Sequence, residues 1–321
     1  MCTAISDGAL FGRTLDLEYS FCESVVVTPR NFVFHFLYEG DVAPHYAIIG
    51  IAHVSEGVPL YYDAMNEAGL AVAALNFPDN AVYFKPRADA HNVASFELIP
   101  WLLSKCQSVS EARELLLKSN ITDDSFSAEL KTTPLHFIIA DREKSLTVES
   151  TEDGLRVYDN PFGVMTNSPK FEYQSTHLQS FAALSSHPLK NKLCPSVELS
   201  QYSRGMGALG LPGDFSSPSR FVRAVFAKFQ ATIKRDKMEE INRFFHVMDT
   251  VSIPEGCVKT ENGDDVFTVY TSCADMDGFC YYFTTYENRR IRAVRLTESA
   301  ASGEEHTVFD MASESDIQIL N

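Results

Sequence analysis

Several features are scarce or missing in this chain, and each absence closes off a class of function. Positive charge is scarce: 27 Lys and Arg stand against 43 Asp and Glu, a net charge of −16. The field of such a surface repels phosphate backbones and anionic membranes, so neither nucleic acid nor membrane is an expected partner. No apolar run approaches the roughly 18 residues of a membrane span, and no leader segment is read at the start. The seven cysteines, Cys2, Cys22, Cys106, Cys194, Cys257, Cys273 and Cys280, contain no C-x-x-C pair and no Cys/His cluster with zinc spacing. Free, mostly buried thiols in a reducing, cytoplasmic setting are expected, with no metal and no cofactor. The nine histidines form no H-E-x-x-H, and no G-x-S-x-G is present. No Pro/Ser/Gly-rich linker, low-complexity tract or repeat divides the 321 residues, so one domain spanning residues 1–321 is expected.

What remains is ordinary globular composition, 45% hydrophobic and 22% charged, with an unusual beginning: Met1-Cys2-Thr3-Ala4. Methionine aminopeptidases remove Met1 when the next side chain is small, and Cys qualifies. Removal leaves one residue with both a thiol and a free α-amine. These titrate near ~8.5 and ~8 respectively, so the amine can accept the thiol proton. Nucleophile and base then belong to one residue. By position alone Cys2 reads as an accident of translation; the residues that follow decide.

Thr3-Ala4-Ile5 and Ala9-Leu10-Phe11-Gly12 flank Ser6-Asp7-Gly8, a hairpin signal that would hold the N-terminus still. Further strands are predicted at Ser24 to Thr28, Phe32 to Tyr38, Tyr46 to Val54, Leu60 to Met65 and Leu70 to Phe77. Ser95 to Cys106 reads as a buried helix, and Ser108-Val109-Ser110-Glu111 as a capping box opening a second. Strands return at Leu135 to Ala140, Ser145 to Ser150, Gly154 to Tyr158 and Gly163 to Thr166. Helices are predicted at Phe171 to Leu184, Pro218 to Ile233 and Met238 to Val251, then strands at Val266 to Cys273, Gly278 to Tyr286 and Ile291 to Leu296. Blocks of strands alternating with blocks of helices indicate an α+β domain of packed sheets with helices outside.

Gly205-Met206-Gly207-Ala208-Leu209-Gly210 matches G-x-G-x-x-G, but no strand leads into it and Leu211-Pro212-Gly213-Asp214 follows, so it reads as a loop. More informative are polar residues in apolar surroundings. Arg13 beside a thiol would favour the thiolate, and the Asp16 carboxylate could orient an α-amine. Asn76 and Asn167 each follow an apolar strand, where an Asn caps a turn or donates to a developing oxyanion. Arg220 heads an apolar helix, where the helix dipole disfavours a cation, so it calls for an anionic partner or a pocket.

Taken together, Met1-Cys2-Thr3, Leu10-Phe11-Gly12-Arg13-Thr14-Leu15-Asp16, Thr28-Pro29-Arg30-Asn31-Phe32, Met65-Asn66-Glu67-Ala68-Gly69-Leu70, Leu75-Asn76-Phe77-Pro78, Thr166-Asn167-Ser168-Pro169, Leu211-Pro212-Gly213-Asp214 and Ser219-Arg220-Phe221 resemble the choloylglycine hydrolase family. That family holds bile salt hydrolases and penicillin V acylases among the N-terminal nucleophile hydrolases. The resemblance implies a four-layer αββα sandwich of two antiparallel sheets flanked by helices, in a homotetramer. It implies Cys2 as nucleophile and, through its amine, as base. Arg13 and Asp16 would position and polarise it, Asn167 and Asn76 would form the oxyanion wall, and Arg220 would support the electrostatics. The substrate implied is a conjugated bile acid. Leu-Asn-Phe-Pro around Asn76 resembles the bile salt hydrolases, where many penicillin V acylases carry Tyr. Ser203-Arg204-Gly205 resembles the variant associated with glycine conjugates, with Arg204 meeting the conjugate's carboxylate. Leu15, Tyr62, Phe126 and Leu130 are the candidates for an apolar steroid slot, each of them also compatible with ordinary packing. The hairpin between Cys2 and Arg13 is shorter than in most relatives, and its trimmed loop is expected to lie away from the chemistry. Two rival readings are a penicillin V acylase on the same scaffold and a non-catalytic carrier of amphipathic steroids; a redox-sensing Cys2 is a third.

Overall fold

In the computed structural model, which describes residues 1–311 and 314–321, two large antiparallel sheets lie face to face. The first runs in the order Val164–Met165, Cys2–Asp7, Leu10–Leu17, Asp265–Asp275, Cys280–Thr285, Arg292–Arg295, with Val258–Lys259 paired on the long Asp265–Asp275 strand. The second runs Gly154–Asp159, Ser145–Thr151, Leu135–Ala140, Ala71–Asn76, Val58–Asn66, Ile48–Ser55, Ser24–Thr28, Thr307–Asp310. Period-two alternation explains how each sheet is covered on both faces. Cys2, Ala4, Phe11 and Leu15 of the first sheet meet Val25, Val27, Ile49, Ile51, Ala73 and Leu75 of the second in the layer between the sheets. Val26, Ile48 and Val72 point the other way, against the helices Leu98–Lys105 and Val109–Leu116. On the far face of the first sheet, Ile5, Leu10 and Tyr282 pack against Phe171–Leu178, Ser217–Gln230 and Lys237–Asp249. Helix, sheet, sheet, helix is therefore the layer order, as expected, and each fully buried large apolar side chain contributes about 1.5–3 kcal/mol to it.

Most predicted elements are present, and the differences have local causes. The strand expected over Phe32 to Tyr38 shrinks to Phe34–Phe36, paired with Gly40–Val42 in a separate small ribbon. Its alternation is real, because Phe34 and Phe36 are buried and His35 is exposed, but it joins neither large sheet. The helix expected to reach Leu184 ends at Leu178 and continues only as a 3₁₀ turn, Gln179–Phe181, beyond which little is buried. The helix expected to reach Ile233 ends at Gln230, and Ile233 is exposed. Ser108 caps its helix as predicted, accepting the Glu111 N–H at 3.2 Å, but the Glu111 carboxylate returns to the Gln107 N–H at 3.0 Å, one residue earlier than a capping box requires. The strand Thr307–Asp310, which covers the edge of Ser24–Thr28, gives no sequence signal because all four of its side chains are exposed.

The first hairpin positions everything that follows. Asp7 pairs with Leu10, so the loop is Gly8-Ala9 rather than Ser6-Asp7-Gly8. Gly8 has φ +58°, the left-handed conformation that a two-residue hairpin loop of type II′ needs at its first position. Gly12 lies hard against the neighbouring strand: a Cβ there would stand 2.0 Å from the Ser272 carbonyl oxygen. Replacing Gly12 with Ala must push that strand away. We expect Gly12→Ala to lower the unfolding free energy by about 1–3 kcal/mol, read by urea denaturation.

Candidate active site

The hairpin register puts Cys2 opposite Leu15 and Ala4 opposite Arg13. Cys2 and Arg13 are thus diagonal neighbours on the face that looks into the space between the sheets. Arg13 is 1% exposed, and its Nη2 donates to the Cys2 Sγ. Its other donors end on carbonyl oxygens: Nε on Thr14 at 3.2 Å, Nη1 on Ala74 at 2.5 Å and on Tyr62 at 3.3 Å. Two of these acceptors belong to the opposite sheet, so the guanidinium bridges the layers and presents one corner to the thiol. Asp16, one residue beyond Leu15, points to the other face. Its carboxylate accepts from the Thr14 hydroxyl at 3.1 Å and the Thr268 hydroxyl at 2.7 Å. The Met1 amine donates to the Asp16 carbonyl, and the Met1 carbonyl accepts the Asp16 N–H at 2.9 Å.

Asn167 and Arg220 close the site from the helical side. The Asn167 Oδ1 accepts the Cys2 N–H at 2.7 Å and an Arg220 Nη2–H at 2.8 Å. With its oxygen so occupied, the amide must turn its Nδ2 the other way, where it donates to the Asn76 carbonyl at 2.8 Å. Ser217, the first residue of its helix, accepts the Asn167 N–H at 2.9 Å and fixes the backbone. Arg220 is fully buried and donates to the Cys2 carbonyl at 2.5 Å, the Thr3 hydroxyl at 2.7 Å and the Phe215 carbonyl at 3.0 Å. The cation that the helix dipole disfavours is therefore held by neutral acceptors, with the Asp16 charge close by.

Burial and charge compete at each group. Burial pulls the Arg13 guanidinium down, but the fields of Cys2, then Tyr270, Asp63 and Asp16, outweigh it and hold the net shift upward. Burial pushes the Asp16 carboxyl above its ordinary range, against Arg220, the chain's N-terminus and the two threonine hydroxyls. Burial also lowers Arg220, with Asp16 and Cys2 opposing. Among the described residues, neither Arg13 nor Arg220 makes a direct contact with a carboxylate.

A cavity of about 460 Å³ opens over the thiol. Cys2, Arg13 and Asn76 line it together with all four apolar candidates, Leu15, Tyr62, Phe126 and Leu130. Phe96, which meets Phe126 edge-on at 5.5 Å between ring centres, adds to the apolar wall, as do Leu17, Tyr19 and Phe21. These, with Thr14, Thr268 and Ser217, were not anticipated. Strand alternation along Leu10–Leu17 could have placed Thr14 beside Asp16, but nothing local marks Thr268. Arg204 does not line the cavity; it is exposed just before the 3₁₀ turn Met206–Ala208, within the glycine-rich loop, which is a loop as expected. The cations that do border the cavity are Arg13, at its base, and Lys131. Among the described residues, no group of three or more His, Cys, Asp or Glu is arranged to hold a metal ion.

Comparison with known proteins places the chain in a class, that of amidohydrolases acting on the C–N bond of linear amides. It belongs to the choloylglycine hydrolase family, whose description as linear amide C–N hydrolases matches residues 2–309. The chain is 43% identical over 324 residues to a bile salt hydrolase/transferase of Lactiplantibacillus plantarum, covering 100% of both proteins. It is 35% identical to a bile salt hydrolase/transferase of Clostridium perfringens, covering 95% of each. A solved variant of the conjugated bile acid hydrolase from Clostridium perfringens superposes with a TM-score of 0.91 at 32% identity, over 100% of both chains. A penicillin V acylase from Agrobacterium tumefaciens shares the fold, with a TM-score of 0.76 at 20% identity over 97% of this chain and 91% of that one.

Arg220 tests how tightly this site is tied together. A lysine supplies one ammonium in place of a planar fork and cannot serve all four acceptors. Arg220→Lys is expected to reduce stability by about 2–4 kcal/mol in chemical denaturation, because buried acceptors lose their donors.

Proposed function

We propose that this protein hydrolyses the amide bond of conjugated bile acids, with Cys2 as nucleophile after removal of Met1. The observation that carries the reading is the Arg13 guanidinium set on the Cys2 sulfur at the base of an apolar cavity. In the mature chain the nitrogen that now donates to Asn167 becomes the α-amine, and departure of Met1 frees the Asp16 backbone groups beside it. The thiol proton passes to that amine, and Arg13 stabilises the thiolate. Sulfur attacks the amide carbonyl carbon. The developing oxyanion meets the second N–H of Asn167 at the Asn76 wall, where one such donor is worth about 3 kcal/mol. The α-ammonium protonates the leaving nitrogen, the C–N bond breaks, and glycine or taurine departs. Water, deprotonated by the same amine, then cleaves the thioester and releases the bile acid.

The cavity suits such an acyl group: one side of a steroid against Leu15, Tyr62, Phe126 and Leu130, its scissile end at Cys2. The names of the two bile salt hydrolase relatives and the Leu75-Asn76-Phe77-Pro78 sequence favour this substrate over penicillin V. The glycine preference read from Ser203-Arg204-Gly205 draws no support from the cavity lining, where Lys131 is the cation near the mouth. All seven cysteines are free, in keeping with a cytoplasmic protein. Assembly into a homotetramer belongs to the same proposal: Leu193, Val197, Leu199 and Tyr202 are more than half exposed within ten residues of chain.

Turnover of glycocholate, taurocholate and penicillin V by purified protein tests the reading; faster turnover of penicillin V would make the protein an acylase. Intact-mass measurement of the active protein should show Met1 absent, and a carrier would need no such loss. Cys2→Ser should fold and lose at least about a thousandfold in kcat. Asn167→Ala should lower kcat more than it raises KM, because its donor acts in the transition state.

A further inference from the structure

One buried carboxylate has no part in the chemistry above. Asp63, on the strand Val58–Asn66, is 1% exposed and faces into the layer between the sheets, flanked by its strand partners Ile51 and Ala73. Three hydroxyls reach it from the opposite sheet. Tyr270 donates to Oδ1 at 2.6 Å, while Ser272, at 2.8 Å, and Tyr281 both donate to Oδ2. Both carboxylate oxygens act as acceptors, which is the bonding pattern of the ionised form.

A carboxylate in an apolar layer needs a compensating charge. Arg13 is that charge, held by the same groups that hold Asp63. The Ser272 hydroxyl that donates to Asp63 also accepts the Arg13 backbone N–H at 3.1 Å. The residue before Asp63, Tyr62, gives its carbonyl to the Arg13 side chain at 3.3 Å. Among the described residues Arg13 makes no ion pair, so its field is shared between the thiol on one side and Asp63 on the other.

We propose that Asp63 is a positioning residue for the Cys2 nucleophile: it fixes Arg13 through Ser272 and Tyr62, and its negative charge tempers the field that Arg13 projects onto the sulfur. Tempering has a chemical purpose. A thiolate stabilised too far is more abundant but less nucleophilic, because nucleophilicity falls with basicity. Burial pushes the Asp63 carboxyl above its ordinary range, with Arg13 and the three hydroxyls opposing. The other charged or titratable groups near Cys2 and Arg13 are Asp16 on the hairpin, Arg220 on its helix, Tyr62 beside Asp63, Tyr270 and Tyr281 on the opposing strands, and the chain's own N-terminus, with Glu18, Tyr19, His53, Tyr61, Glu129 and Lys131 on the walls of the shared cavity. None of these is altered by the variants below except Tyr281, which is replaced deliberately.

The inference rests on Cys2 being the nucleophile, but its test reads the sulfur and not turnover. The rate of Cys2 alkylation by iodoacetamide is measured against pH on Met1-free protein. In Asp63→Asn the acid limb of that profile should move down by about one pH unit, a tenfold gain in thiolate at a given acidic pH, while kcat for glycocholate falls. A merely structural Asp63 would lower stability and leave the limb where it was. Tyr281→Phe keeps the packed ring and removes one donor from the carboxylate, so Asp63 is neutral up to a higher pH and the limb should shift the same way by less. This variant decides the matter should Asp63→Asn fail to fold. An unmoved limb in folded Asp63→Asn, or in Tyr281→Phe where only that variant folds, overturns the proposal. A protein that alkylates normally yet hydrolyses no bile acid would overturn the proposed function and leave this inference standing.

Discussion

The guanidinium of Arg13 between the two sheets is the interaction on which the site depends. It is a cation almost fully removed from water, and a bare buried cation is strongly disfavoured. Carbonyl oxygens from both sheets, the thiol and two nearby carboxylates together make it tolerable. Remove the hairpin register and the side chain no longer reaches the sulfur; remove the second sheet and it loses Tyr62 and Ala74. The cation is at once a strut between layers and the source of the field at Cys2.

That double role explains why the polar groups form a chain and not a scatter. Cys2 is tied to Asn167, Asn167 to Arg220 and Asn76, and Arg220 back to the Cys2 carbonyl. Each member satisfies another's hydrogen-bonding needs, which is the condition under which a buried polar network fixes one geometry. Ser217 and Thr268 extend the chain into the helical layer and the long central strand.

Legibility in the sequence followed range. Alternation and helical spacing placed the layers, because those patterns reflect burial that each element carries within itself. The hairpin's Cys2, Arg13 and Asp16 lie close in sequence and could be grouped by eye. Asn167 and Arg220 were suggested by polarity out of context, and by family resemblance, because their partners are far away along the chain. Thr268 and Asp63 were invisible: a threonine or aspartate on a strand looks like any other until the opposite sheet brings its partners. Arg204 shows the converse, a charge whose motif drew attention and which the fold leaves outside the cavity. The loop is Gly8-Ala9 and not Asp7-Gly8 because the pairing of Asp7 with Leu10 puts Gly8 first in the loop, where a type II′ turn takes a glycine.

Under the proposed removal of Met1, its pairing with Asp16 bears on when that removal can happen. The first residue is half-buried and takes up a place at the end of the strand, bonded at both its amine and its carbonyl. A trimming peptidase works on extended, accessible ends, so folding that outpaces trimming would seal the blocking residue in. On the proposed mechanism, trimming and hairpin closure would then race one another, and molecules that closed first would keep a blocked Cys2.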